Sequence, residues 1–482
     1  MAIEITGEHT TATFLVDEES LIEDNCLEQV RTLVDHPAFT EPIRMMPDAH
    51  VGSGAPIGFT MPLPDRVVPN IVGVDVGCGM AATNLGEDLP LDGPERERRV
   101  REAVPMGRAV HDYDDAPHLV DEFPFERAND VFDRFDVAYR ERFGRPIDPI
   151  EFDFDGYDGE YFKALCRRVL AGSRQGMGYV IRGAGTLGGG NHFVEFAKAR
   201  DSGAYWLVIH SGSRYLGKSV AEYWQEKATQ YREADAIRAA LPEAYAEYLR
   251  FDLETVSDAD LFAWVTGGKG ESHVRKDAIR AAFDGERVDE VFRAVSRPQA
   301  ALEDRNEDLD WLEGREAHGY FVDMLFAQQY ARWNRELMSE AICTALDVEP
   351  VDRFQSIHNY VDFRDLTIRK GATPARKGQQ LVIPFNMAEG SLLARGKGNP
   401  RYHSTAPHGA GRRMGRREAH ETLSVEDFET AMAEVYSESV SEGTLDEAPM
   451  AYKSVEKIVE AIEPTAELID RLEVVHNLKA TE

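Results

Sequence analysis

The sequence is poor in positive charge, poor in cysteine and free of long apolar runs. Lys and Arg number 54 against 86 Asp and Glu, a formal charge of −32. So large an excess means either a cationic partner or a surface adapted to a cytoplasm of very high salt, where screening shortens self-repulsion to ~3 Å at 1 M. Acidic residues run along the whole chain, as in DEFPFERANDVFD and DFDGYDGEY, which suits the halophilic reading. The four cysteines, Cys26, Cys78, Cys166 and Cys343, form no CxxC pair. No signal-peptide pattern is present, so a reduced cytoplasmic protein is expected, each Cys a core residue or a ligand. No apolar run is long enough to span a bilayer, and a soluble protein is expected. There is no internal repeat and no low-complexity linker.

What is present is enough apolar sequence for a sizeable core: 43% hydrophobic and 9% aromatic. A chain of 482 residues suggests two or three domains on length alone. The chemically unusual segments are nevertheless scattered from residue 48 to residue 479, which predicts one interleaved catalytic domain over 1–482. Strand-like segments mix with separate helical blocks, an α+β pattern, not an alternating βαβ one. TATFLV reads as a strand and NCLEQVRTLVDH as a helix. IVGVDVGCGM reads as a short buried strand entering a tight glycine turn. Residues 88–175 and 235–310 read as mostly helical. Residues 178–217 return to strand and glycine loop. The spacing of apolar residues over 317–345 predicts a helix whose ordinary role is core packing. The stretch from Ala451 predicts a helix, a Pro break and a final strand.

Metal-ligand residue types stand where apolar runs meet small-residue loops, places at which sites are commonly assembled. Asp75 and Cys78 lie three apart around Gly77, His192 follows a triple glycine, His210 closes WLVIH, and His358 ends FQSIH. One thiolate, three imidazoles and a carboxylate suffice for two divalent ions with the thiolate shared. Donor softness favours Zn²⁺, and mixed sites with open positions also suit Mn²⁺. Taken singly, each His is more often a satisfied polar residue and Cys78 more often a small hydrophobe.

Positive charge is concentrated in RKGATPARKGQQ, ARGKGNPRYH and HGAGRRMGRR. Glycines beside Arg and Lys allow backbone to approach phosphate, and Arg grips phosphate with paired hydrogen bonds. A solvated basic face is the plainer alternative. His408, between Pro407 and Gly409, is open to small charged ligands. It suits a nucleophile toward phosphorus, a phosphate contact or a structural role.

Taken in order, PDAHVGSGAPIG, VGVDVGCGM, GTLGGGNHFVE, HSGSR, HNY, RKGATPA, GKGNP, APHGAGRRM and the terminal AYK…LKA resemble the RtcB family of RNA ligases over residues 44–479. The resemblance implies a large mixed fold with a deep central cleft holding two Mn²⁺. One ion would sit on Asp75, Cys78 and His192, the other on Cys78, His210 and His358. It further implies that His408 is guanylylated by GTP. Asn191, Glu195, Gly409, Gly411, Tyr452 and Lys479 would contact the nucleotide, and Arg214 and Arg412 would contact RNA or nucleotide phosphate. Asp48 and His50 are given only a supporting role. The implied reaction joins a 3′-phosphate or 2′,3′-cyclic phosphate RNA end to a 5′-hydroxyl end, in RNA repair or tRNA splicing, with an archease-type activator as an implied partner. One departure stands out. Where the family carries small residues after the Pro that follows RKGA, this chain has IPFNMAEGS, with Phe385, Asn386, Ala388 and Glu389. Nucleotide and RNA choice are therefore less determined than the metal site. The rival readings are a metal-dependent phosphodiesterase acting on cyclic-phosphate ends and a non-catalytic RNA-end binding module.

Overall fold

Strand Tyr205–Ser211 shows how this sequence builds its centre. Its side chains alternate between two buried faces, as period-two geometry requires. Leu207 and Ile209 turn outward and pack with Met338 and Ile342 of the helix Glu316–Leu346. Trp206 and Val208 turn inward against Met80, Ala82 and Leu393. Each such large apolar side chain stabilises the fold by ~1.5–3 kcal/mol when fully buried. His210 has the parity of Trp206 and Val208 and so also faces inward.

A computed structural model describes residues 3–16, 22–303 and 305–481. In it this strand belongs to a seven-stranded antiparallel sheet. The order is Asp352–Ile357, Gly79–Gly86, Tyr205–Ser211, Phe193–Ala199, Ala466–Leu478, Gly390–Gly396 and Gln380–Asn386. The two edge strands lie against each other, so the sheet is nearly closed into a barrel. A six-stranded sheet runs Glu4–Thr6, Thr11–Phe14, Ile43–His50, Ile57–Pro62, Thr367–Lys370 and Asn359–Asp362, with only Thr11–Phe14 and Ile43–His50 parallel. A short pair, Ala372–Pro374 with Thr405–Pro407, delivers the chain to His408. The α+β expectation holds.

The chain divides into two compact units, Met1–Glu222 with Glu313–Glu482, and Tyr223–Leu312. The second is helical, including Asp258–Val265, Lys276–Ala282 and Glu286–Ser296, with its own core around Ile237, Leu261, Ile279 and Val291. Ser257 caps the first of these helices, its hydroxyl accepting from the Asp260 amide at 3.2 Å. The helical reading of 88–175 also holds, in Gly93–Ala103, Phe125–Phe143 and Gly159–Val169. So does the helix, break and strand at the end, Val455–Ile462 followed by Ala466–Leu478.

Two sequence expectations are corrected. Residues 71–76 are not a strand. Gly73 and Gly77 take φ of 86° and 72°, left-handed backbone that breaks a ladder, and the strand begins only at Gly79. Ile71, Val72 and Val76 are buried all the same, so the apolar run feeds the core from a turn. Residues 177–182 form a short helix. Val180 is its buried residue, and the Val180 carbonyl accepts from the Tyr330 hydroxyl at 2.7 Å.

Candidate active site

Two strand ends and two glycine turns bring the five ligand-type residues into one buried cluster. Cys78 Sγ lies 3.1 Å from His210 Nε2 and 3.5 Å from His192 Nε2. His192 Nε2 is 2.8 Å from Asp75 Oδ2, and His210 Nε2 is 3.2 Å from His358 Nε2. The donor atoms fall into two groups, Asp75 with Cys78 and His192, and Cys78 with His210 and His358, each within 4.8 Å. Cys78 is common to both.

The far ring nitrogens are already tied to backbone oxygen. His192 Nδ1 bonds to Leu187 O at 2.9 Å and His210 Nδ1 to Asn191 O at 3.1 Å. A carbonyl only accepts, so these nitrogens carry the protons and the Nε2 lone pairs face the cluster. The His192 lone pair then meets the Asp75 carboxylate, and the His210 lone pair faces His358 Nε2. Burial lowers the His210 and His358 pKa values well below the usual range and raises the Cys78 thiol, with Asp75 adding to the latter. Protonation of His210 and His358 is therefore opposed, and a divalent cation in each group would take up the lone pairs that face one another there. The donor set fits the two ions that the family resemblance implies.

The helix Glu316–Leu346 is more than core packing, and its polar residues escaped sequence reasoning. The amide of Asn334 accepts from the backbone of Gly185 and Thr186 at 2.7 and 3.1 Å. It donates to Thr186 O, Ser211 Oγ and Gly212 O. Arg335 donates to Gly77 O at 2.8 Å and Ser211 O at 2.7 Å. Both are fully buried and hold the loops flanking Cys78, His192 and His210.

Beside the cluster lies a cavity of 410 Å³. Inward-facing Met80, Phe193, Glu195 and His210 line it from the barrel side, and His408, Gly409, Gly411 and Arg412 from the facing loop. The His408 ring centroid is 4.8 Å from that of His358. Its Nδ1 lies 2.7 Å from Oδ2 of the fully buried Asp48, which also accepts the His408 backbone N–H at 3.3 Å. His50 bonds to the Asp48 carbonyl at 2.9 Å. Asp48, in the strand Ile43–His50, thus holds His408 at two points.

The other anticipated residues divide. Asn191, Glu195, Tyr452 and Lys479 line this cavity with His408. Burial raises the Glu195 carboxyl to about 8, and it accepts from Asn477 Nδ2 at 3.1 Å. Glu447, unnoticed in the sequence, accepts from Lys479 Nζ at 3.1 Å and from the Tyr452 hydroxyl at 2.8 Å, with Arg412 Nη1 at 3.3 Å. Burial pushes its carboxyl up, but Lys479, Arg416 and Arg412 more than reverse this and hold it at about 2. Arg214 lines a separate cavity of 240 Å³, donating to Gly107 O at 2.9 Å and Thr186 Oγ1 at 3.0 Å. The unusual loop borders the main cavity through Phe385, Asn386 and Met387. Asn386 Oδ1 closes the hairpin by accepting from the Ala388 and Glu389 amides at 3.0 and 2.9 Å.

Comparison with known proteins agrees. A family model described as tRNA-splicing ligase RtcB matches residues 29–258 and 277–480. The chain is similar to the RNA-splicing ligase RtcB of Escherichia coli strain K12, 27% identical over 468 residues, covering 93% of this chain and 92% of the relative. It is similar to the tRNA-splicing ligase RtcB of Nanoarchaeum equitans, 24% identical with 92% and 88% coverage. It is also similar to the RNA-splicing ligase RtcB of Mycobacterium tuberculosis, 25% identical with 90% and 95% coverage. Since the family match takes in every segment that supplies a donor to the cluster, the chain belongs to the RtcB family.

Proposed function

We propose that this RtcB-family RNA ligase joins RNA ends bearing a 3′-phosphate or 2′,3′-cyclic phosphate to 5′-hydroxyl ends, using GTP through a guanylylated His408. The observation that carries the reading is the Asp48–His408 contact at 2.7 Å. Asp48 Oδ2, which also accepts the His408 backbone N–H, serves as the acceptor that holds the proton on Nδ1. That leaves Nε2 as a lone pair, without a partner among the described residues, in a cavity bordered by glycine and arginine. Nε2 attacks the α-phosphorus of GTP and pyrophosphate departs. An oxygen of the RNA 3′-phosphate then takes the guanylyl group and His408 is released. A cyclic end is first opened by water. The 5′-hydroxyl oxygen finally attacks the activated 3′-phosphate and GMP leaves, the hydroxyl proton passing to solvent.

Asp75, Cys78 and His192 would hold one divalent ion, and Cys78, His210 and His358 a second. We take these to be Mn²⁺ on the family resemblance, with Zn²⁺ the alternative on donor softness. When bound, such ions neutralise phosphate charge and orient in-line displacement. Asn191, Glu195, Gly409, Gly411, Tyr452 and Lys479 line the space for the nucleotide. Arg412 and, from its separate cavity, Arg214 serve phosphate contacts. Glu447 keeps Lys479 and Tyr452 in place. Four free, buried cysteines suit a reducing cytoplasm, and an archease-type activator is a proposed partner.

The test is incubation with α-³²P-labelled GTP and Mn²⁺ in high salt, followed by denaturing gels, beside His408→Ala. Acid-labile label on the wild-type chain and none on the variant is the expected result. No label from GTP or ATP would overturn the ligase chemistry and turn attention to hydrolysis of cyclic-phosphate ends.

A further inference from the structure

Lys479 lines the main cavity, yet the sheet does not place it. The last ladder pair between Ala466–Leu478 and Phe193–Ala199 is Leu478 with Val194, so Lys479 stands one residue past the strand's hydrogen bonding. A residue beyond the end of its element frays unless something else ties its backbone. Here Ser439 Oγ accepts the Lys479 N–H at 2.9 Å and donates to the Lys479 carbonyl at 3.2 Å. Arg101 Nη2, from the helix Gly93–Ala103, donates to the same carbonyl at 3.2 Å and to Ser439 Oγ at 3.2 Å. The hydroxyl's one proton and two acceptor positions are thereby all used, and the carbonyl has a donor for each lone pair.

Arg101 is itself held. Its guanidinium meets Glu97 Oε1, one turn earlier in the helix, at 2.6 Å, and Glu97 is buried. Glu97 Oε2 lies 2.6 Å from His476 Nε2, and Arg96 Nε donates to His476 Nδ1 at 2.9 Å. An arginine N–H only donates, so Nδ1 accepts and the His476 proton sits on Nε2, toward the carboxylate. The chain of contacts from Arg96 through His476 and Glu97 to Arg101 thus returns to the peptide of Lys479. At the other end of the same residue, Lys479 Nζ donates to Glu447 Oε2 at 3.1 Å. Ser439 and Glu447 belong to one segment, tied internally by Thr444 Oγ1 donating to the Ser439 carbonyl. Lys479 is therefore gripped at its peptide as well as at its ammonium.

We propose that Arg101, together with Ser439, is a positioning residue for the nucleotide: by clasping the Lys479 peptide it sets where the Lys479 ammonium stands in the main cavity. The proposal rests on the reading of Lys479 as a nucleotide contact. Neither Arg101 nor Ser439 lines the cavity. Any effect of theirs on the nucleotide must pass through Lys479 or through the general fold, and the two routes differ measurably. If Lys479 is the route, loosening the clasp costs no affinity once the ammonium is gone. If the fold is the route, the cost remains.

The experiment is a double-mutant cycle on the full chain loaded with Mn²⁺. GMP, which binds without transferring a guanylyl group, is titrated calorimetrically into wild type, Arg101→Met, Lys479→Ala and the double variant. Arg101→Met keeps an apolar stem and removes the donors. Arg101→Met and Lys479→Ala are each expected to weaken GMP binding about tenfold, and the double variant to bind within about twofold of Lys479→Ala. Arg101→Lys, which keeps a donor for the carbonyl, should recover part of the loss. Losses that add to about a hundredfold in the double variant would make Arg101 a support of the fold and overturn the proposal. A loss in Lys479→Ala with none in Arg101→Met overturns it too, and leaves the nucleotide reading standing. If Lys479→Ala binds GMP as the wild type does, or the wild type binds none, the nucleotide reading itself fails and takes the proposal with it. Ser439→Ala removes a single hydroxyl and runs the same cycle if Arg101→Met does not fold.

Discussion

At the scale of the residue, Cys78 and Glu195 make the sharpest predictions. Cys78 is the one donor present in both groups, 3.1 Å from His210 and 3.5 Å from His192. Cys78→Ala should therefore lose both bound ions, measured as metal per chain by plasma mass spectrometry. One ion retained at full occupancy would rule out a shared thiolate. Glu195 speaks to pH. Burial raises its carboxyl from an ordinary 4.5 to about 8. Between those values the folded chain keeps a proton that the unfolded chain has released, so stability falls as pH rises, by at most about 1.4 kcal/mol per unit. Glu195→Gln should remove that part of the slope in metal-free protein followed by denaturant unfolding from about pH 5 to 8. Parallel curves for variant and wild type would show that the carboxyl is not held protonated. The residues gathered at the cluster and the main cavity were legible because histidine and cysteine are scarce and sit in distinctive glycine settings. Glu447 was not, because one carboxylate among 86 acidic residues carries no signal until Lys479, Tyr452 and Arg412 are folded around it.

At the scale of the element, the helix Glu316–Leu346 is the support on which the site rests. Asn334 satisfies two loops at once, so Asn334→Leu leaves several buried backbone groups without partners. Each costs ~1–3 kcal/mol. The expected outcome is a loss of about 3 kcal/mol or more in unfolding free energy, with metal occupancy falling in parallel. An unchanged denaturation midpoint would mean that the loops hold themselves. The helix was readable from its apolar spacing, but not its polar duty, since Asn and Arg on a helix are ordinarily solvated. Long periodic or alternating runs, such as YWLVIHS, announced their elements. Short apolar runs did not. YVIR had the composition of a strand, yet it lies in the helix Met177–Arg182, which buries Val180. IVGVDV was misread because its apolar residues are buried from a turn that Gly73 and Gly77 create.

At the scale of the whole molecule, the charge of −32 dominates. The high-salt reading predicts that the melting temperature rises steadily from 0.1 M to 2 M KCl, as the Debye length shrinks from ~10 Å to below ~3 Å. A flat or falling curve would favour a cationic partner as the reason for the excess acid. The seven-stranded sheet adds a consequence for synthesis. Ala466–Leu478 is not an edge. It sits between Phe193–Ala199 and Gly390–Gly396, two strands laid down much earlier in the chain. A ribosome that stalls before residue 466 releases a polypeptide with every metal donor and His408 but with a gap in the middle of its barrel. The strand that joins Phe193–Ala199 to Gly390–Gly396 is then missing, and the barrel whose inner face carries His210 is left open.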